Sequence, residues 1–177
     1  VLLDSGFFCI LLRIFRNQEV KKLSGYKFLK KFLNKNKFKN KNLLMIDPTK
    51  EESHFNQNLL KLKKFKKIYS YTAPFYDDNK NFHKDKNLIN YIKKIKPDCI
   101  IINLAGGKQE PLGIFLKNYL TKNVLIICTG AAIAFLTKRQ APINDLIDKF
   151  YLGWALRIIF NPKNTYKRFL KSFKLIN

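Results

Sequence analysis

At 177 residues with 46% apolar content, the chain is long enough for one domain with a real core, which argues against a disordered or fibrous segment. Lys+Arg 35 against Asp+Glu 12 gives a net charge of +23, more than solubility needs, and points to an anionic partner: nucleic acid, anionic lipid or a phosphorylated substrate. Part of the excess is compositional, because Lys, Asn, Ile and Phe are abundant together while arginine is scarce, the bias an AT-rich genome imposes.

In chain order, Asp4-Ser5-Gly6 precedes an expected helix over Phe7 to Arg16, where Asp4, judged from the residues alone, is a helix cap. Tyr26 to Lys37 is a second expected helix, with Phe28, Leu29, Phe32 and Leu33 on one face and solvated lysines on the other. Asn42 to Ile46 is an expected strand, and Asp47-Pro48-Thr49 turns into a helix ending near Lys64, with Glu51 and Glu52 favouring the dipole of its first turn. A strand follows at Lys67 to Ser70. Tyr71 to Lys86 is the longest irregular stretch and carries Tyr71, Phe75, Tyr76 and Phe82, with Phe75 expected to pack beneath the loop. Asp77-Asp78 is adjacent and lacks the Asp-x-Asp spacing of a metal site for a nucleotide-sugar diphosphate.

After a helix at Leu88 to Ile95, the apolar block Cys99 to Leu104 breaks at Ala105-Gly106-Gly107-Lys108-Gln109-Glu110, which reads as strand, glycine turn and helix start. The pattern recurs where Val124 to Cys128, a buried-strand run, ends at Thr129-Gly130-Ala131-Ala132. Glycine lets backbone amides approach a ligand closely, and a helix N-terminus carries about half a positive charge, so two such corners suit a phosphate-bearing ligand. Alternating strands and helices with β-branched strand runs give an α/β fold: a Rossmann-like parallel sheet flanked by helices on both faces.

The tail differs. Tyr151 to Phe160 is apolar, Asn161-Pro162 breaks it, and Tyr166, Phe169, Leu170 and Phe173 recur at helical spacing among Lys163, Lys167, Arg168, Lys171 and Lys174. Such a basic amphipathic C-terminal helical appendage binds a membrane surface if its apolar face is free and docks as an ordinary terminal helix if it is not. The expected division is a core over 1–148 and the appendage over 149–177. Cys9, Cys99 and Cys128 lie in apolar runs and read as buried hydrophobes in a reduced compartment, and His54 and His83 as surface residues without ligand spacing. No stretch has the length of a membrane span, and the start lacks the leader and cleavage site of a signal peptide.

Lys96-Pro97-Asp98, Lys108-Gln109-Glu110, Gly130-Ala131, Ala141-Pro142 and Gly153-Trp154 with Arg157, Pro162 and Arg168 resemble, in order and spacing, the WecG/TagA/CpsF glycosyltransferase family. The resemblance implies a metal-independent, cofactor-free transferase of the bacterial cell envelope. It would move a sugar from a UDP-sugar to an undecaprenyl-diphosphate-linked saccharide, with inversion, for cell-surface polysaccharide synthesis. Asp4-Ser5-Gly6 matches the turn bearing the family's proposed catalytic base, so Asp4 is the implied base. The resemblance also implies that Lys22, where the family carries arginine, would join Gly106, Gly107, Lys108, Gln109, Thr129, Gly130 and Ala131 around the donor diphosphate. By the same resemblance, Arg157, Lys163, Lys167 and Arg168 would face the lipid acceptor, and the chain would sit in the cytoplasm, peripherally on the inner face of the membrane.

Three departures mark a divergent subgroup with altered donor preference. The run Ile133-Ala134-Phe135 stands where the family shows Phe-Asp-Phe, Gln140-Ala141-Pro142 where it shows Arg-Ala-Pro, and the family's first strand–helix unit, with its donor-side turn, has no counterpart before Asp4. Pro74-Phe75 replaces a Gly-Tyr pair near the nucleotide, which gives Phe75 a second reading as a stack for uracil. Two alternatives of other classes are a basic RNA-binding protein, for which no specific nucleic-acid motif is present, and an inactive family member serving as a scaffold. Self-association into a homo-oligomer is left open by these residues.

Overall fold

Four segments pair as parallel strands, β1 (Asn42–Asp47), β2 (Lys67–Thr72), β3 (Cys99–Ile102) and β4 (Leu125–Cys128), in the spatial order β2-β1-β3-β4. The computed structural model describes residues 6–20, 24–76, 85–121, 123–139 and 159. Its helices are α1 (Gly6–Arg16), α2 (Gly25–Asn34), α3 (Lys50–Leu62), α4 (Lys86–Ile95), α5 (Gln109–Tyr119) and α6 (Ala132–Leu136). The chain divides into two compact units, residues 29–137 and residues 1–28 together with 138–177. All four strands belong to the first. Within the second, α1 buries Cys9 and Leu11.

The period of two along a strand sorts the sheet's side chains cleanly. Leu44 and Ile46 of β1 and Ile100 and Ile102 of β3 share one core with Leu88, Ile92 and Ile95 of α4 and Leu112 and Leu116 of α5. Leu43 and Met45 with Cys99 and Ile101 face the other core, against Leu29, Phe32 and Leu33 of α2, Leu60 of α3 and Ile133 of α6. Both faces of the central strands are covered, as a near-continuous apolar run in a parallel sheet requires. The expected Rossmann-like α/β class is therefore observed, while the C-terminal appendage, apart from residue 159, lies outside the described residues.

Helix starts follow local chemistry. Thr49 caps α3 by accepting from Glu52 N–H at 3.1 Å, and Asp85 caps α4 by accepting from Leu88 N–H at 3.0 Å. Lys96 closes α4 in the left-handed region (φ 50°), just before Pro97.

Several expectations need correction. The helix expected over Tyr26 to Lys37 stops at Asn34, where Lys35 N–H turns back to the Phe32 carbonyl at 3.0 Å and a short 3-10 turn takes over Asn36–Phe38. Phe28, expected on its buried face, is exposed. Lys39, beyond that helix, is held by backbone. The Lys39 ammonium donates to the Leu33 carbonyl at 2.8 Å and to the Lys63 carbonyl, at the C-terminal ends of α2 and α3, and lies 4.5 Å from the Phe65 ring centroid. Burial, then the charges of Lys63 and Lys64, hold its pKa below the ordinary lysine value.

The run from Val124 to Cys128 is less buried than its apolar composition suggested, because β4 ends the strand order: Ile127 is buried, but Leu125 and Cys128 are exposed. Cys99 is buried as expected, and burial, with Asp98 adding, pushes its thiol up to about 12. Cys128 keeps solvent contact as a residue although its thiol lies against α5, donating to the Gln109 carbonyl at 3.4 Å. Burial of that thiol, then the charge of Glu110, raises its pKa. Gly113 makes this approach possible, since a Cβ there would stand 2.9 Å from the Cys128 sulfur.

Candidate functional site

The chain leaves β1 for β2 on one side and returns to β3 on the other, so strand order reverses between β1 and β3. In open parallel sheets, the crevice beyond the carboxyl ends of the strands at such a reversal receives ligands. Here both strands end in a polar residue. Asp47 terminates β1, Asn103 directly follows β3 with its N–H on the Ile46 carbonyl at 2.9 Å, and both side chains are buried.

Asp47 is fully buried among hydrogen-bond donors rather than cations. Oδ1 accepts from Asn56 Nδ2 and Asn103 Nδ2, each at 2.7 Å, and Oδ2 accepts from Ser70 Oγ at 2.9 Å. Ser70 Oγ is shared with Ser53 Oγ on α3, and Thr129 Oγ1 bonds Asn103 Oδ1 at 2.5 Å. The result is a polar chain from α3 across β2, β1 and β3 to the corner after β4. Sequence reasoning treated Asp47 as a turn residue and did not use Asn103, Asn56 or Ser70. The available signal was one polar residue at the end of each of two central apolar strands.

The two glycine corners meet. Gly107 and Gly130 both occupy positive φ (82° and 53°), the region that disfavours a side chain. Gln109, in the first turn of α5, accepts from Gly130 N–H at 2.6 Å through Oε1 and donates to Glu110 Oε1 at 2.9 Å through Nε2. Glu110 Oε2 in turn accepts from Gly107 N–H at 2.8 Å. One relay thus runs from the first corner through Glu110 and Gln109 to the second. A Cβ built at Gly106 or Gly107 meets nothing within 4 Å, so the first corner is open to an approaching ligand.

Phe75 lies beside this corner. It is 94% exposed, and the Lys108 ammonium is 6.0 Å from its ring centroid. The expected packing beneath the loop is overturned: Ala73 and Tyr76 on either side take the buried positions and leave the Phe75 ring outside. Leaving a large apolar ring in water forgoes about 1.5–3 kcal/mol of burial.

Of the sequence-derived site residues, Gly106, Gly107, Lys108, Gln109, Thr129, Gly130 and Ala131 come together at the tops of β3 and β4. Asp4, Lys22, Arg157, Lys163, Lys167 and Arg168 lie outside the described residues. Ala134, the departure from the resembled Phe-Asp-Phe run, is buried in α6. No helix among the described residues is long and apolar enough to cross a membrane.

A comparison with curated proteins finds no match. The family model described as "Glycosyl transferase WecG/TagA/CpsF family" matches residues 1–176, a span that includes both corners, the relay between them, the polar chain and the exposed ring. The chain belongs to the WecG/TagA/CpsF glycosyltransferase family.

Proposed function

We propose that the protein transfers a sugar from a UDP-sugar to a hydroxyl of an undecaprenyl-diphosphate-linked saccharide, with inversion and without a metal, at the inner face of the membrane. Family membership implies a nucleotide-sugar donor and a lipid-linked acceptor in general. The observation that carries the finer reading is the Gln109 bridge, which places two glycine corners side by side at the ligand-receiving end of the sheet.

In this reading the Asp4 carboxylate takes the acceptor hydroxyl proton while the acceptor oxygen forms its bond to the anomeric carbon. The bond from that carbon to the donor diphosphate breaks on the opposite face, and its electron pair leaves on the β-phosphate oxygen. Lys22, Lys108 and Arg157 offset the growing negative charge, Lys22 as a point charge without the fork of an arginine. The Gly107 amide is engaged by Glu110, and the Gly130 amide by Gln109. The diphosphate gains these amides by displacing side chains that already present oxygen atoms to them. Phe75 supplies a flat apolar surface to the uracil.

The test is a thermal-shift panel. UDP at about a hundredfold excess over its Kd should stabilise the fold by about 2.7 kcal/mol, or roughly 5–10 °C for a chain of this size. Absence of a UDP effect together with steep salt-dependent binding to RNA would replace this reading with the nucleic-acid one. The basic tail gives a second expected outcome. Each lysine or arginine near an anionic bilayer contributes about 1 kcal/mol, so the chain cut after Pro162 should stop co-sedimenting with phosphatidylglycerol vesicles that retain the full chain. Unchanged co-sedimentation would remove the tail from the membrane role.

A further inference from the structure

The exposed ring of Phe75 sits on backbone fastened on both sides. On one side, Ala73 is buried and donates its N–H to the Asp47 carbonyl at 2.9 Å. On the other, Tyr76 is buried and its hydroxyl donates to Asp85 Oδ2 at 2.6 Å. Tyr71, at the end of β2, donates to the same carboxylate at 2.8 Å and 3.0 Å, and Asp85 also accepts from Leu88 N–H at 3.0 Å as the cap of α4. One carboxylate therefore gathers two tyrosines and a helix start around a short segment whose middle residue points into water. Burial first, then the hydrogen bond and charge of Asp85, raise both tyrosine pKa values, so the hydroxyls stay donors well above neutral pH.

We propose that the Tyr71–Asp85–Tyr76 clasp is a positioning device that holds the Phe75 ring out beside Lys108 as a platform for the base of the nucleotide donor. This rests on the donor reading above. Without the clasp, Tyr76 would be free to swing out and yield its buried position to the Phe75 ring, because burial is the ordinary preference of phenylalanine. The clasp acts through Phe75 and touches no reacting atom. Its loss should therefore weaken recognition of the base and leave recognition of the diphosphate unchanged.

The experiment is a double-mutant cycle on the full chain, with UDP and inorganic pyrophosphate as probes in calorimetric titrations. Stacking of a base on an aromatic side chain is large enough that Phe75→Ala should weaken UDP by at least about fivefold. Tyr76→Phe should weaken UDP severalfold in the wild-type background and not at all in the Phe75→Ala background, with pyrophosphate affinity constant throughout. Tyr71→Phe, which leaves Tyr76 and the α4 cap in place, is the second variant should Tyr76→Phe fold poorly, and it should show the same pattern. Equal weakening of UDP in both backgrounds, or a parallel loss of pyrophosphate, overturns the clasp while the donor reading stands. A wild-type chain that binds pyrophosphate but not UDP overturns the donor reading and the clasp's role with it.

Discussion

Asp4→Ala is expected to reduce kcat for glycosyl transfer by about 100- to 10,000-fold, the usual contribution of a general base, while leaving UDP affinity and the unfolding transition unchanged. The contrast with Gln109→Ala makes the result interpretable. Gln109 joins the Gly130 amide to Glu110, so its removal leaves one corner amide without its partner and takes from Glu110 the donor at Oε1. Because the diphosphate reaches the Gly130 amide only by displacing Gln109, freeing that amide removes a competing hydrogen bond worth about 0.5–1.5 kcal/mol, and UDP affinity should rise by up to about tenfold. Steady-state kinetics alongside calorimetric UDP titration separates the two variants. Turnover by Asp4→Ala comparable with wild type would discard Asp4 as the base, and unchanged UDP affinity in Gln109→Ala would remove the bridge from the donor site.

Asp47→Ala is expected to be among the most destabilising single substitutions in the sheet unit. It orphans Asn56 Nδ2 and Asn103 Nδ2 in a buried place, while the Ser70 hydroxyl keeps Ser53 Oγ as a partner. At about 1–3 kcal/mol for each buried group left unpaired, the cost is about 2 kcal/mol or more, and Tm should fall by roughly 4–8 °C or more. Asp47→Asn should be far milder. Its carbonyl oxygen can take both amide donors, and its NH2 can donate to Ser70 Oγ, whose own hydrogen then turns to Ser53 Oγ. Urea unfolding of the two variants measures the difference. Equal losses would show that the negative charge itself, rather than the pattern of donors and acceptors, holds the crevice together.

The fold was legible because the signals were local and repeated. Cys99 to Ile102 is too apolar to lie anywhere but mid-sheet, and small residues after both β3 and β4 marked the corners. What escaped was set by distance along the chain. Asp47 and Asn103 stand 56 residues apart and become partners only through the β1–β3 register, so Asp47-Pro48 looked like ordinary turn chemistry. Tyr71 and Asp85 pair across the irregular stretch for the same reason. Phe75 was misjudged by applying the general preference for burial to a segment where Ala73 and Tyr76 had already filled the apolar space.

Lys39 bears on how the charge excess is to be understood. Its ammonium is committed to two backbone carbonyls at helix ends and is shielded by an aromatic ring. A polyanion approaching this face would release fewer counterions than a formal count of lysines suggests. Acetylation at this position would loosen the junction of two helices before it changed any encounter with a charged surface.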